Sequence, residues 1–318
     1  MAVTKLPHKI QRLAGIGVTT PDAAALCPFY ERTLGFWMRT AHWNARELAP
    51  ALRASGIAGR ISLGLGSEII ELQQFDRPGR PYPLGAAASD LCFQHFAIVV
   101  ADMTTAYQRL CSVGGWSAIS TEGPQRLPPS SGGVEAFKFR DPDGHPLELL
   151  AFPEHRMPQH WKARSKDELF LGIDHSAISV SDSMRSIAFY ETLGLRVASR
   201  SVNSGSEQAR LDGLTEPLVE VTALASAQAT PHVELLCYRS DASARKLELK
   251  SNDVATTRLV FDAIRSPDAK AASLQSLIDP DGHHLVLVQS VEEDNTWNGK
   301  ADALGGSPPV IVNSESAG

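Results

Sequence analysis

The chain repeats itself. FYERTLGF from Phe29 returns as FYETLGL from Phe189, and FRDPDGHPLELL from Phe139 returns as LIDPDGHHLVLV from Leu277. Two copies of one pattern restrict the fold to architectures built from a recurring supersecondary unit, because each copy must bury the same faces in the same way. Each half divides again. QHFAIVVADM around His95 has the form of DHSAISVSDS around His175, an apolar run closed by an aspartate seven residues past the histidine, at Asp102 and Asp182. GIGVTTPD from Gly15 to Asp22 keeps that spacing without the histidine. Four units follow, at about 10–75, 92–152, 171–238 and 251–289.

Within a unit the local signals agree. A β-branched and apolar run ends at Asp, and a stretch with apolar residues three and four apart follows, such as Ile187, Tyr190 and Leu193, which predicts a strand and then a helix. Leu-Gly-Phe and Leu-Gly-Leu place glycine at the helix end, and alternating runs separated by Gly, Pro and Asp-Pro-Asp-Gly turns read as strands of a curled sheet. The unit is therefore read as βαβββ, with Phe29, Tyr30, Phe189 and Tyr190 on the helix face that covers the sheet. The division expected is an N-terminal domain over 1–152, a polar, proline-flanked linker over 153–170 and a C-terminal domain over 171–292. A tail over 293–318, rich in Asn, Gly, Ser and Pro, is expected to be disordered. The stretches from Arg77 and from Gly123, rich in Pro and Gly, read as surface loops, plain connection being the first reading and a place over a site mouth the alternative for the second.

Composition narrows the partners. With 318 residues, a formal charge of −6 and no long Lys/Arg cluster, the chain lacks the electrostatic drive of nucleic-acid or anionic-membrane binding. No run of about 18 apolar residues appears and the N-terminal residues lack the apolar stretch of a secretory signal, so a cytoplasmic protein is expected. Cys27, Cys92, Cys111 and Cys237 form no C-x-x-C pair and read as reduced thiols.

Paired βαβββ modules, the FY-x-x-x-LGF and FY-x-x-LGL segments, and DPDGH-x-LEL before the last strand make the chain resemble the vicinal oxygen chelate superfamily. That superfamily includes glyoxalase I, epimerases, ring-cleaving dioxygenases and metal-free bleomycin-binding proteins. The resemblance implies an α+β fold, with four βαβββ modules forming two curled, half-open barrels of eight strands each and helices outside. It also implies that a module offers a metal ligand at the start of its first strand and another in its last. The first-strand positions here are Gly15, His95, His175 and, by a less certain alignment, Thr257; the last-strand positions are Glu71, Glu148, Glu234 and Val286. Only the two middle modules hold both a histidine and a glutamate. If the modules pair one with four and two with three, His95, Glu148, His175 and Glu234 converge in one cup, and the other cup lacks a ligand set. If they pair in chain order, the ligands are split between two poorer sites. The exchanged pairing is the expectation.

Imidazole and carboxylate donors suit a divalent ion of Fe, Mn, Zn, Co or Ni, and the absence of thiolates disfavours a closed structural zinc site. The resemblance then implies a small-molecule substrate, in a monomer or homodimer. The leading expectation is a glyoxalase- or epimerase-like isomerase or lyase, in which Glu148 or Glu234 moves a proton on a carbonyl compound. The alternatives are an Fe(II) ring-cleaving dioxygenase acting on a catechol or hydroquinone, and a metal-free binding protein. Glu71 reads as a vestigial or salt-bridged carboxylate. His232, two residues before Glu234, reads as hydrogen-bonded to a neighbour. His145, His283 and His284 follow Asp-Pro-Asp-Gly turns and are read as exposed turn residues.

Overall fold

A computed structural model describes residues 8–39, 52, 56–164, 166–227, 231–239, 244–265 and 274–290. The segment expected to form a disordered tail lies outside these residues. The first module runs β1 (His8–Thr19), α1 (Ala23–Leu34), β2 (Trp37–Arg39), β3 (Ile57–Leu65) and β4 (Glu68–Phe75). The second runs β5 (Gln94–Val100), α2 (Met103–Cys111), β6 (Ser117–Ala118), β7 (Gln125–Arg126), β8 (Glu135–Arg140) and β9 (Pro146–Ala151). After a short helix α3 (Gln159–Arg164), the third holds β10 (Phe170–Ser179), α4 (Ser183–Thr192), β11 (Arg196–Ser204), α5 (Ser206–Asp212), β12 (Leu218–Ala225) and β13 (His232–Tyr238). The fourth shows β14 (Arg258–Arg265), β15 (Leu274–Ile278) and β16 (His284–Ser290). Residues 266–273, where the helix expected for this unit would fall, lie outside the described residues.

The aspartates that close each apolar run start the helices. Asp22, Asp102 and Asp182 lie in extended conformation and accept the backbone N–H groups of Ala25, Thr105 and Arg185, a cap that contributes about 1 kcal/mol each. Gly35 ends α1 at φ 73°, a left-handed conformation that a side chain would strain.

Two open sheets result. One has the order β15-β16-β14-β1-β4-β3-β2, from modules one and four; the other has the order β11-β12-β13-β10-β5-β9-β8-β6, with β7 also paired to β8, from modules two and three. Among the described residues the counts are seven and nine strands, because the fourth module contributes three and the second contributes five, two of them short. The exchanged pairing is thus the one the strands adopt: β1 runs antiparallel to β14, and β5 antiparallel to β10.

The apolar cores follow the chain in another way. One cluster joins modules one and two, with Leu26 and Tyr30 of α1 and Ala106 and Leu110 of α2 packed on Leu63, Ile98, Phe137 and Leu149. A second joins modules three and four through Ile187, Tyr190, Leu235, Phe261 and Leu287. Sheets therefore bind the modules crosswise, while helix layers bind them in chain order. Trp161, in the segment read as a plain linker, is buried against Val99 and Leu171.

The Asp-Pro-Asp-Gly-His turns lie at the crossings of these layers, which corrects the expectation that their histidines are exposed. His145, His283 and His284 are all buried. His145 Nδ1 lies 2.8 Å from Asp141 Oδ2, while Nε2 faces the carbonyls of Thr19 and Val254 at 2.8 and 3.1 Å. Tyr30 donates to the same Asp141 at 2.9 Å. The third and fourth modules copy the device: Tyr190 donates to Asp279, and His283 Nε2 faces the Ser179 carbonyl. Such turns read as surface in sequence because their covering partners come from other modules.

Every neighbour of the His145 ring nitrogens is an acceptor, so the imidazolium is the form that fits. Burial opposes that charge, but Asp141 outweighs it and the pKa is raised. A raised folded-state pKa means that stabilisation is complete below the unfolded value of roughly 6.5 and is lost as pH rises through the folded value. His145→Asn is expected to cost about 3 kcal/mol at pH 6 and to weaken the loss of stability between pH 6 and 9. Urea unfolding at both pH values checks this; equal pH dependence in the variant and the parent chain would count against it.

Candidate metal centre

The centre of the nine-stranded sheet is built around two alanines. Ala97 on β5 lies between His175 on β10 and Glu148 on β9, and Ala177 on β10 lies between His95 on β5 and Glu234 on β13. Side chains alternate along a strand, and residues opposite one another share a face, so all four polar groups rise from the same concave side. Both alanines are fully buried and leave the space above them to these groups. The opposite face carries Phe96, Ile98, Leu147 and Leu149 into the helix-covered core.

The four residues singled out from sequence meet here. Donor atoms of His95, Glu148 and His175 all lie within 4.8 Å of one another, and the two imidazole rings are 5.7 Å apart. Glu234 stands at the edge of this trio, its Oε2 3.6 Å from His175 Nε2. Its side chain is 21% exposed, against 2% for His95 and 8% for Glu148 and His175. His232 borders Glu234 at 3.4 Å, as expected of a hydrogen-bonded neighbour, and with Asp174 and His175 it forms a second cluster.

The donors suit a cation. His95 Nε2 is 2.8 Å from Glu148 Oε2, but not along a hydrogen-bonding direction, and neither ring nitrogen of this buried histidine has a hydrogen-bond partner. A buried polar atom left this way costs about 1–3 kcal/mol, whereas an ion between the two groups would satisfy both. Burial and the nearby Lys138 lower the His95 pKa, which keeps the ring neutral with a lone pair to share. Burial pushes Glu148 upward, but His95 and Lys138 more than compensate and hold it below its ordinary value. Glu234 is likewise opposed by burial and drawn down to about 2 by His175 and His232. Burial disfavours charge on His175 too, yet Glu234 and Asp174 raise its pKa to about 9. Asp174 accepts from His175 Nδ1 at 3.0 Å, which fixes the ring and turns Nε2 toward the cup.

The other cup is different in kind. Gly15, Glu71 and Val286 hold the positions expected, but register places Arg258, and not Thr257, opposite Gly17, where the nine-stranded sheet has His175 opposite Ala97. The position slips by one residue. Arg258 is wholly buried and donates to Thr19 and Gln73, while Arg60 grips Glu71 with two bonds of 2.5 and 2.6 Å. Guanidinium groups thus occupy this cup, consistent with Glu71 read as a salt-bridged carboxylate.

A cavity of about 180 Å³ opens above the four donors. Leu127, Ser131 and Val134 line it, so the stretch from Gly123, read first as plain connection, forms part of the wall. Sequence reasoning also missed Lys138. It lies directly opposite Glu148, is 4% exposed and reaches Asp212 Oδ1 at 2.7 Å. The signal was present in EAFKFR, where a lysine between two core phenylalanines must face the cup.

Comparison with known proteins bears on the fold. Residues 10–149 and 172–306 match the family model of the Glyoxalase/Bleomycin resistance protein/Dioxygenase superfamily. Among solved structures, glyoxalase I from Zea mays is similar at 17% identity and TM-score 0.52, covering 89% of this chain and 92% of that one. A point mutant of the same maize protein, in a hexagonal crystal form, is similar at 17% identity and TM-score 0.56, with the same coverage. At such identities the likeness is one of fold. No curated protein matches. No helix among the described residues is long and apolar enough to cross a membrane.

Proposed function

Because the chain belongs to the Glyoxalase/Bleomycin resistance protein/Dioxygenase superfamily, we propose that its middle cup holds a divalent cation on His95, Glu148, His175 and Glu234 and moves a proton on a small carbonyl compound. The reaction is that of an isomerase or lyase, and the cation is one of Fe, Mn, Zn, Co or Ni. When bound, such an ion supplies a Lewis acid toward a carbonyl oxygen and so acidifies the neighbouring C–H.

The position of Glu234 carries the reading. It lies beside the tight trio, is the most exposed of the four and has His232 against its other oxygen. A carboxylate so placed can turn toward substrate, take the α-proton on one oxygen and return it to the adjacent atom, while Glu148 stays in the tight trio with His95 and His175. The walls of Leu150, Leu211 and Val219 keep water from the transferred proton.

Glu234→Gln is expected to retain cation and to slow α-proton exchange of a 2-hydroxy ketone in D2O by about 10²- to 10⁴-fold. Glu148→Gln is expected to weaken the cation itself. If both variants bind cation and exchange protons at the parent rate, neither carboxylate is the base. Two imidazoles and one carboxylate are also the donor set of Fe(II) oxygenases, and the trio of His95, Glu148 and His175 favours that as the second reading. Oxygen uptake by iron-loaded protein supplied with a catechol or hydroquinone would place it first.

A further inference from the structure

Behind the cup wall lies a carboxylate that organises three side chains and touches no cation donor. Asp212, the last residue of α5, is buried; its Oδ1 accepts from Lys138 Nζ at 2.7 Å, and its Oδ2 accepts from Gln208 Nε2 at 2.7 Å and from the Tyr238 hydroxyl at 3.0 Å. Lys138, Gln208 and Tyr238 all line the cavity. A carboxylate only accepts, so the Gln208 amide must present its NH₂ to Asp212 and turn its carbonyl oxygen away. That oxygen is buried and has no hydrogen-bond partner. Lys138 uses one of three N–H donors on Asp212 and has no other side-chain hydrogen-bond partner among the described residues. A fixed cationic donor and an unpaired neutral acceptor therefore stand side by side on the two oxygens of one carboxylate.

We propose that Lys138 and Gln208 form an anchoring subsite for a hydroxycarboxylate end of the substrate, with Lys138 donating to the carboxylate and Gln208 Oε1 accepting from the hydroxyl. The match is one of polarity: an ammonium calls for an anion, and a buried amide oxygen calls for a donor. Because the Lys138 backbone sits opposite Glu148 on the neighbouring strand, one spacing of about 5 Å away, the anchored end lies on the same face of the sheet as the cation donors. The substrate class is then a small keto acid whose carboxylate carries an adjacent hydroxyl. This deepens the proton-transfer reading and rests on it for the carbonyl end only.

The test is a binding titration with 2-hydroxybutyrate, butyrate and butane-1,2-diol, on protein stripped with a chelator and on protein reloaded with Zn(II). The parent chain is expected to prefer 2-hydroxybutyrate to both analogues by about tenfold or more in either state. Gln208→Met should remove the preference over butyrate. Lys138→Met combined with Asp212→Asn, which avoids stranding a buried carboxylate, should remove the preference over the diol. Equal affinity for the three probes overturns the subsite, as does a preference that appears only with zinc and ignores both variants. If the double variant does not fold, the parent series and Gln208→Met decide. Failure to take up zinc with the preference intact would instead sink the cation and leave the subsite standing.

Discussion

His95→Ala is expected to abolish the stabilisation of this chain by divalent cations. In the parent, an ion that binds only the folded form and is present at about 100 times its dissociation constant adds about 2.7 kcal/mol, which corresponds to a rise of roughly 4–5 °C in Tm for a chain of this length. His95 supplies the most enclosed donor, and its removal leaves Glu148 facing an empty position at the centre of the sheet. Affinity should fall by on the order of a thousandfold, more than the ten- to hundredfold that loss of a supporting hydrogen bond costs. Thermal melts with Zn(II), Mn(II), Co(II) and Ni(II) read the effect. A variant whose Tm still rises as the parent's does would show that the ion sits elsewhere.

Arg60→Met is expected to destabilise the fold by about 3–5 kcal/mol, because it strands Glu71, a fully buried carboxylate, without its bidentate partner. The combined change Arg60→Met with Glu71→Leu should recover most of that loss, since an apolar pair of similar volume needs no compensating charge. Denaturant unfolding of the two variants separates the outcomes. If the single change costs under about 1 kcal/mol, as a surface pair would, then water reaches the second cup and the guanidiniums there are not its structural filling. The same experiment bears on the first cup: both hold carboxylates on a curled sheet, and among the described residues only the second has arginine to neutralise them.

The repeat made much of this legible. The spacing from histidine to aspartate located the first strands and the helix starts, which are consequences of chain-local geometry, whereas the meeting of His95, Glu148, His175 and Glu234 followed only from the resemblance and the exchanged pairing of modules. Counting failed where the landmark was missing. Arg265 stands where the other modules have their capping aspartate, so the first strand of module four was set off by one residue, enough in a β-strand to turn a side chain to the other face. Lys138 announced itself only by alternation, and Gln208 and Asp212 not at all. Their place depends on α5 docking across the module boundary, where Ser120 and Thr121 bond to the carbonyls of Leu211 and Arg210. The burial of His145 has the same origin, since its partners Thr19 and Val254 are 126 and 109 residues away.

The crosswise pairing of sheets has a consequence for how the chain is made. The donor-bearing sheet needs nothing beyond Tyr238, whereas β1 must wait for β14 to emerge from the ribosome. At 5–20 residues per second that wait lasts on the order of tens of seconds. Nascent chains in which β13 has cleared the ribosome should already carry the donor-bearing sheet while β1, paired with β4, still lacks β14, so assembly proceeds from the middle outward and the arginine-filled cup is the last seam to close.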